Sequence, residues 1–433
     1  MNVALVGFEL EGRAALAYWQ GLGASVTVCD QDTAKQVPAG VAKQLGPEYL
    51  KNLDRFDVIW RTPVVNPEII LRENPGVKDK ITTTINEFLR VCPSKRVIGV
   101  TGTKGKGTTS TLIARMLQAA GETVFLGGNI GVSPLTFLPQ VTPQSWVVLE
   151  LSSYQLADLR RSPAMAVCLM VVPEHLNWHK DMDDYLLAKA QLFEHQTSSD
   201  TAIYYANNDN SRKIAGYSKG LKIPYCAEPG AHVENGEIVI ANEAICRTDE
   251  LKLLGEHNWQ NVCAAVTVLW QISQNVDAMR SVLTTFSGLE HRIEFVREVA
   301  DVQYYNDSYA ATPDAAMAAI AAIREPKVLI CGGFDRMLPI THFARAILDH
   351  QRDLRKVVLI GVSGPRLAAE LDNVGFHNYV IEPAKTMPDI VAHARSFAQP
   401  GDAVLLSPGF ASFDMFKNFE DRGLQFKAAV NTL

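Results

Sequence analysis

No hydrophobic run in this sequence is long enough to cross a bilayer, and its first residues lack the basic segment and cleavage site of a signal peptide. We therefore expect residues 2–6 to form a first strand. The seven cysteines are scattered, and none forms a CxxC pair. Isolated cysteines in odd number are typical of buried thiols in a reducing compartment. Together these absences predict a protein of the cytoplasm with no membrane partner.

Basic patches of the kind that bind nucleic acid are also missing. The chain of 433 residues has a formal net charge of −6, with no run of Lys and Arg and no basic segment interleaved with aromatic residues. We therefore expect no nucleic-acid partner. Hydrophobic residues make up 47% of the chain. That content is ample for the buried cores of the several domains that this length suggests.

A glycine-rich stretch at residues 99–109, GVTGTKGKGTT, is the segment around which the chain is organised. It follows a short apolar run at 96–98 and precedes a helical pattern at 110–120. A strand, a glycine loop and a helix in this order are the context of a phosphate-binding loop. Glycines let backbone N–H groups approach phosphate oxygens, the helix N-terminus favours an anion, and Lys106 adds a positive charge. We predict an ATP site here.

The stretch departs from the common pattern GxxxxGK[ST] in one respect. Gly107 separates Lys106 from Thr108, the hydroxyl residue that could hold Mg²⁺. The alternative to a phosphate loop is a tight glycine turn between two helices, but such a turn gives no reason for two lysines in the loop.

Two polar residues follow strands that we predict beside this loop. Glu150 closes the strand predicted at 146–149, and His175 follows the strand predicted at 166–172. A carboxylate at such a strand tip can bind Mg²⁺ or orient water. The alternative interpretation of Glu150 is a solvated acid with no role in a site. An isolated histidine is usually structural. We expect His175 to be functional because it lies at a strand tip beside the predicted phosphate site. From spacing alone, Lys189 on the following helix would be a surface lysine.

Residues 1–91 predict an α/β module. The order strand, glycine turn, helix, strand over residues 2–30 opens a doubly wound sheet with a ligand at the carboxyl ends of its strands. The loop at 7–12 has the outer glycines of GxGxxG, but Glu9 replaces the middle one, and with Glu11 it would repel a pyrophosphate. We therefore do not expect NAD binding.

Residues 92–289 and 290–433 complete the predicted organisation of three domains. The second contains the phosphate loop, a hairpin at 229–243 and a helix from 255 to about 272. The third alternates strands and helices, a pattern that predicts a parallel sheet with helices on both faces. The predicted fold class is therefore α/β.

Seven motifs that are rich in polar residues follow one another along the chain. They lie at 102–106, 150–156, 174–175, 255–261, 289–292, 306–308 and 407–423. Together, and in this order, they resemble the Mur ligases, the family that builds the peptide of peptidoglycan precursors. The resemblance covers nearly the whole chain. The last motif, SPGFASFDMFKNFEDRG, is specific to the glutamate-adding branch of that family.

The resemblance implies a Rossmann-like N-terminal domain for a UDP-sugar, a central phosphate-loop ATPase-like domain and a doubly wound C-terminal domain for an amino acid. It implies a monomeric ATP-dependent ligase that adds glutamate, with the D isomer expected, to UDP-N-acetylmuramoyl-L-alanine. A substrate carboxylate takes the γ-phosphate of ATP to give an acyl phosphate, and the glutamate amine then displaces phosphate. Positioning and charge neutralisation dominate such chemistry.

The resemblance also implies a role for individual residues. The residues that would serve catalysis are Lys106, Glu150, His175, Lys189 and Arg292. Those that would bind ATP are Gly102, Thr103, Lys104, Gly105, Lys106, Gly107, Thr108, Thr109, Asn261, Arg292 and Asp307. Those that would hold Mg²⁺ are Thr108, Glu150, His175 and a carbamylated Lys189. Those that would contact the other substrates are Asn129 and Ser152 for the UDP-sugar peptide and Arg336, Ser412 and Phe419 for glutamate. Carbamylation requires a neutral amine and therefore a depressed lysine pKa.

The chain departs from the glutamate-adding branch at several of these positions. Lys104 and Gly107 stand where the branch usually has asparagine and serine, and the order Lys-Gly-Thr at 106–108 resembles folylpolyglutamate synthases. Tyr309 stands where the branch has lysine. Arg336 replaces a lysine that pairs with the glutamate side chain, and arginine can hold a carboxylate bidentately.

The uridine end of the substrate site differs as well. Glu9 and Glu11 stand where uridine-diphosphate loops favour glycine and a hydroxyl, and residues 30–32 lack the expected arginine. We expect Arg61 to be the replacement cation.

Three alternatives to the leading function stay open. The first is a ligase that adds L-glutamate. The second is a folylpolyglutamate synthase-like ligase, but such enzymes lack a separate module like residues 1–91. The third is an inactive nucleotide-binding scaffold, which loss of Lys106, Glu150 or His175 would signal; all three are present.

Overall fold

The computed structural model describes residues 1–253, 255, 257–337 and 339–433, the side chain of His257 excepted. They divide into two compact units, Met1–Leu251 with Glu256–Phe286, and Lys252–Gly255 with Ser287–Leu433. Glu256, a member of the fourth motif, lies outside the described residues. Of the helices described, none combines the length and the apolar character needed to cross a membrane. All seven cysteines are free thiols, and most are buried.

The first unit opens with a parallel sheet. Its elements are β1 (Asn2–Val6), α1 (Leu10–Gly21), β2 (Ser25–Asp30), β3 (Ala42–Leu45), β4 (Val58–Arg61), α2 (Pro67–Glu73), β5 (Ile81–Thr82) and α3 (Thr84–Val91). The strand order is β3-β2-β1-β4-β5. Gly7 turns the chain after β1 with φ 88°, and a Cβ there would lie 2.3 Å from Cγ2 of Thr62. The carboxylate of Asp30 accepts a hydrogen bond from the Phe8 amide at 2.8 Å, which ties this turn to the end of β2.

The central sheet of this unit carries the predicted phosphate loop in its middle. Its elements are β6 (Val97–Thr101), α4 (Lys106–Ala119), β7 (Val124–Gly128), α5 (Pro134–Phe137), β8 (Trp146–Glu150), α6 (Ser153–Leu156), β9 (Met165–Cys168), α7 (Met182–Glu194), β10 (Thr201–Tyr205), α8 (Asp209–Ala215) and β11 (Leu221–Tyr225). The order is β11-β10-β9-β6-β8-β7, all parallel. Because β6 lies between β8 and β9, the loop after β6 is flanked by the carboxyl ends of both neighbours.

The predicted hairpin at 229–243 is confirmed and gains a third strand. The remaining elements of the first unit are β12 (His232–Glu234), β13 (Glu237–Ile240), β14 (Glu243–Arg247), α9 (His257–Trp270) and α10 (Val276–Leu283). Asn235 and Gly236 form the first turn with φ of 49° and 81°. Positive φ at both central residues matches the twist of a two-residue hairpin.

The second unit is a mixed sheet with helices on both faces. Its elements are β15 (Glu294–Val299), β16 (Val302–Asn306), α11 (Pro313–Ala322), β17 (Lys327–Gly332), α12 (Thr341–Asp349), β18 (Leu354–Ile360), α13 (Gly364–Val374), β19 (Tyr379–Ile381), α14 (Met387–Phe397), β20 (Ala403–Leu406) and α15 (Phe419–Asn431). The order is β15-β16-β20-β17-β18-β19. The all-parallel expectation is wrong at one edge, where β15 pairs antiparallel with β16. This strand is charged and largely exposed, so it lacks the continuous apolar run of a buried strand.

Arg61, at the end of β4, is not a cation for a uridine nucleotide, and that expectation is wrong. Its side chain is fully buried. The guanidinium donates to both carboxylate oxygens of Asp158 at 2.6 and 2.9 Å, and to the carbonyl oxygens of Val65 and Tyr154 at 3.0 and 3.1 Å. Its charge is therefore compensated inside the unit, where it ties the first sheet to the segment after α6.

We predict that Asp158→Ala lowers the free energy of unfolding of the first unit by about 3 kcal/mol, because it leaves the Arg61 charge buried without its partner. Glu48→Ala is the matched control, since Glu48 pairs with Lys51 on the surface, and it should leave stability unchanged. Urea denaturation followed by tryptophan fluorescence measures both. Equal midpoints for the two variants would contradict the structural role of the Arg61 pair.

Candidate active site

The glycine loop between β6 and α4 has a backbone that side chains would obstruct. Gly102 and Gly105 have φ of 148° and 86°. A Cβ on Gly102 would lie 2.7 Å from Cβ of Leu169, and one on Gly105 would lie 2.1 Å from Oδ1 of Asn261. α4 begins at Lys106, four residues before the predicted start, so the amides that follow Gly105 form its first turn. This cradle at a helix N-terminus fits a phosphate group.

Two lysines converge beneath this loop. Nζ of Lys106 donates to the carbonyl oxygens of Gly102 and Thr103 at 3.1 and 3.0 Å. Nζ of Lys189 donates to the same Gly102 carbonyl at 2.9 Å and lies 4.7 Å from the ring centroid of Tyr185. The spacing-based expectation of a surface lysine is wrong for Lys189, because α7 packs this side of the helix against the sheet and leaves the residue 1% exposed.

The environment of Lys189 depresses its basicity. Burial, followed by the nearby charge of Lys106, lowers the pKa of Lys189 to about 7. Neutral pH therefore lies close to the pKa of Lys189, so the uncharged amine is accessible there. This is the protonation state that the resemblance to carbamylated lysines requires.

Glu150, the last residue of β8, is buried with one free carboxylate oxygen. Its Oε1 accepts from Nδ2 of Asn129 at 2.8 Å, and the Asn129 amide donates to the Glu150 carbonyl oxygen at the same distance. Within the described part of the chain, Oε2 has no hydrogen-bond partner. Gly128 permits this approach, because a Cβ there would lie 2.2 Å from the Glu150 carbonyl oxygen. A buried, unpartnered carboxylate oxygen fits a divalent cation such as Mg²⁺.

His175 lies in the segment after β9 with an unusual backbone conformation. Its φ is 60°, which is strained for a non-glycine residue. The imidazole packs 4.9 Å from the ring of Tyr154. Partial burial lowers the pKa of His175, although the carboxylate of Glu174 opposes that shift. The ring is therefore neutral at pH 7, the state in which histidine ligates metals.

The preceding residue, Glu174, pairs with the loop lysine that departs from the family pattern. Its Oε1 lies 2.6 Å from Nζ of Lys104. Among the residues described, no three His, Cys, Asp or Glu side chains form a metal-binding cluster. A cation at this edge would therefore draw on further groups, such as the partly buried hydroxyl of Thr108.

Asn261 and Ser152 are two further predicted residues of the first unit. Asn261, on α9, lies against the loop and accepts a hydrogen bond from Oγ1 of Thr109 at 3.4 Å. Ser152 caps α6, since its hydroxyl accepts from the Gln155 amide at 3.3 Å. Nε2 of Gln155 in turn donates to Oε1 of Glu11 at 2.9 Å, and burial raises the pKa of Glu11. The carboxyl of Glu11 thus faces protein rather than a ligand loop.

Arg292 and Asp307 lie in the second unit. The Arg292 guanidinium carbon is 3.8 Å from the ring centroid of Tyr309. Asp307 is buried, and its two oxygens accept from the Ser407 hydroxyl at 2.7 Å and the Ile293 amide at 3.1 Å. Burial raises the pKa of Asp307 to about 7. Asp307 therefore ties the segment after Arg292 to the end of β20.

The residues predicted for glutamate are only partly brought together. Arg336 is exposed and lines a small pocket with Phe334 and the backbone around Gly409. Ser412 is buried just beyond the lining residues, and Phe419 starts α15 outside that pocket.

Arg422 is a buried residue to which sequence reasoning assigned no role. It donates to the hydroxyl and carbonyl oxygens of Ser308 at 2.9 Å each, and to the carbonyl oxygens of Phe410 and Ala411 at 3.2 and 3.3 Å. Burial lowers the pKa of Arg422 to about 10. Arg422 thus joins the segment at Phe410 and Ala411 to the loop after β16. Its position inside the last motif was the one sign in the sequence that it has a role.

Comparison with known proteins agrees with this geometry. Residues 100–269 match the family model of the Mur ligase middle domain, and residues 291–410 match that of the Mur ligase glutamate ligase domain. A UDP-N-acetylmuramoylalanine–D-glutamate ligase from Clostridium kluyveri is 35% identical over 100% of this chain and 97% of its own length. The chain belongs to the Mur ligase family. It is therefore an ATP-dependent amide ligase.

Two further proteins extend the comparison. A ligase of the same name from Acetivibrio thermocellus is 35% identical over 100% of this Mur ligase and 96% of its own length. The crystal structure of MurF ligase from Thermotoga maritima in complex with ADP matches 99% of this chain and 94% of that one, at 17% identity and a TM-score of 0.59. At this identity the likeness shows the fold alone, and it confirms the predicted α/β class.

We predict that the stability of this Mur ligase falls as pH is lowered toward 7, through Lys189. The folded-state pKa lies below the ordinary value, so unfolding takes up a proton, and lowering the pH from 9 to 7 should cost about 2 kcal/mol. In Lys189→Met, the free energy of unfolding should no longer fall by this amount between pH 9 and pH 7. In Lys213→Met, the control at an exposed lysine, it should fall as in the wild type. Denaturation curves at pH 7, 8 and 9 give the comparison. A wild-type pH dependence equal to that of Lys189→Met would contradict a depressed pKa.

Proposed function

We propose that this Mur ligase is a monomeric cytoplasmic enzyme that adds D-glutamate to UDP-N-acetylmuramoyl-L-alanine with ATP. The observation that carries the proposal is the convergence of Lys106 and Lys189 on the Gly102 carbonyl beneath a glycine cradle. The names of the relatives at 35% identity over the full chain support the choice of substrates.

The glycine cradle and Lys106 hold the phosphates of ATP. The acceptor carboxylate attacks the γ-phosphorus, the bond from that phosphorus to the bridging oxygen breaks, and ADP leaves. The glutamate amine then attacks the acyl carbon, loses a proton and expels phosphate. Arg292 neutralises charge on the transferring phosphate, and Asn129 and Ser152 contact the UDP-sugar peptide. Each of these roles is one of positioning or charge neutralisation.

Mg²⁺ is the metal that we propose for this site. Thr108 would hold a first ion and Glu150 with His175 a second, and carbamylated Lys189 would direct a carboxylate to the metal. The free carboxylate oxygen of Glu150 and the neutral ring of His175 are the features that fit such an ion. Bound there, Mg²⁺ would neutralise phosphate charge.

Carbamylation of Lys189 would turn a buried cation into a buried anion beside Lys106. The neutral amine attacks the carbon of CO₂, a nitrogen–carbon bond forms, one carbon–oxygen double bond becomes a carboxylate, and the amine releases a proton. The lowered pKa of Lys189 supports this step, because it supplies the neutral amine at pH 7.

Arg336 is the residue that we propose for the side-chain carboxylate of glutamate. Its neighbour Asp335 is already paired, since both of its oxygens accept from Arg366 at 2.6 and 2.7 Å. The charge of Arg336 is therefore not cancelled by the adjacent acid. Ser412 and Phe419 complete the proposed glutamate site.

The decisive experiment measures phosphate release from ATP with UDP-N-acetylmuramoyl-L-alanine and either D- or L-glutamate in separate reactions. We expect release with D-glutamate. Release with L-glutamate alone would show that the enzyme adds the L isomer. Release with a folate acceptor instead would show that the acceptor is a folate. No release with any pair would indicate an inactive scaffold.

Lys106→Ala should lower this phosphate release by at least about 100-fold, because it removes the cation that faces the phosphates. Lys222→Ala, which removes an exposed lysine from β11 of the same unit, is the control and should keep the wild-type rate. Normal turnover by Lys106→Ala would refute the role of the loop.

Lys189→Ala should lose activity and regain part of it when short carboxylic acids such as acetate are added, since they replace the missing carbamate. The same acids should not stimulate the wild type. A Lys189→Ala enzyme with unimpaired turnover would show that carbamylation is irrelevant here.

A further inference from the structure

Arg292 is a cation whose neighbouring carboxylates are engaged elsewhere. Glu290 and Glu294 both pair with Lys427, at 3.3 and 2.5 Å. Asp307 uses one oxygen for Ser407 and the other for the Ile293 amide. Among the described residues of the second unit, none forms an ion pair with Arg292. Its described side-chain contact is the face of Tyr309.

Tyr309 is itself held in place. Its ring meets that of Phe419 edge to face, with centroids 5.1 Å apart and planes at 87°. Its amide donates to the carbonyl oxygen of His291 at 2.9 Å. The Ser308 hydroxyl donates to the Phe419 carbonyl oxygen at 2.8 Å, which joins the loop of Tyr309 to the start of α15. Tyr309 is 43% exposed as a residue, and the Arg292 guanidinium lies over its ring.

We propose that Tyr309 is a positioning residue that holds the Arg292 guanidinium for the developing charge of the transferring phosphate, an inference that rests on the proposed function. An aromatic face orients a guanidinium plane while its N–H donors stay available and its charge stays uncancelled. A carboxylate in the same place would engage those donors and neutralise the charge. Phe419 supports the ring through their edge-to-face contact.

The test compares kcat and KM for ATP in Tyr309→Leu and Tyr309→Phe. Loss of the ring should lower kcat about 3- to 10-fold with KM for ATP little changed, because the stacking orients a group that acts on transition-state charge. Tyr309→Phe keeps the ring and should restore most of the lost kcat. Phe295→Leu is the matched control, since Phe295 is an equally exposed aromatic of the same unit, at 44%, on edge strand β15.

A double-mutant cycle separates this role from a merely structural one. In an Arg292→Ala background, Tyr309→Leu should cause no further loss of kcat, because the group that it positions is gone. The proposal would be overturned if Tyr309→Leu lowered kcat by the same factor with and without Arg292. It would also be overturned if Tyr309→Leu alone had the wild-type kcat. Thermal midpoints of all variants, expected to equal the wild-type value, exclude misfolding as the cause.

The cycle is run with whichever acceptor and amino acid support wild-type phosphate release. Wild-type release with a pair other than UDP-N-acetylmuramoyl-L-alanine and D-glutamate corrects the proposed function while the comparison of Tyr309 variants still stands. Absence of wild-type release with every pair overturns both.

Discussion

Two ammonium groups share one backbone carbonyl oxygen in the first unit, and the rest of the candidate site depends on that arrangement. Lys106 and Lys189 lie 3.1 and 2.9 Å from the oxygen of Gly102. Like charges at such proximity are unfavourable in a buried place unless one of them is neutral or an anion joins them. Burial favours the first condition, a neutral amine, because it lowers the pKa of Lys189 to about 7. A bound phosphate or a carbamate on Lys189 would meet the second.

The sheet order explains why these groups meet. β6 is central, so the glycine loop, the Glu150 carboxylate at the tip of β8 and the segment after β9 lie at one edge of the sheet. Glycines at 105 and 128 permit the contacts, because a Cβ at either would lie within 2.2 Å of Asn261 or of the Glu150 backbone. Backbone sterics therefore set the positions of the charged groups.

Local pattern predicted the loop because everything that defines it lies within a few residues: an apolar strand, positive-φ glycines and a helix start. The strand tip at Glu150 followed from the same reasoning. The burial of Lys189 could not be inferred from helical spacing, since it depends on how α7 packs on the sheet. Arg61 was misjudged because its partner, Asp158, is distant in sequence and meets it only in the folded unit. Edge strand β15 was not predicted because its charged sequence, EFVREV, resembles that of a loop.

Every proposed role in this enzyme depends on binding of the phosphates of ATP by the loop at 102–109. A crystal structure of the full chain with a non-hydrolysable ATP analogue tests it most directly. We expect phosphate oxygens within hydrogen-bond distance of the amides that follow Gly105 and of Nζ of Lys106. An analogue bound in another cleft, with this loop empty, would contradict it.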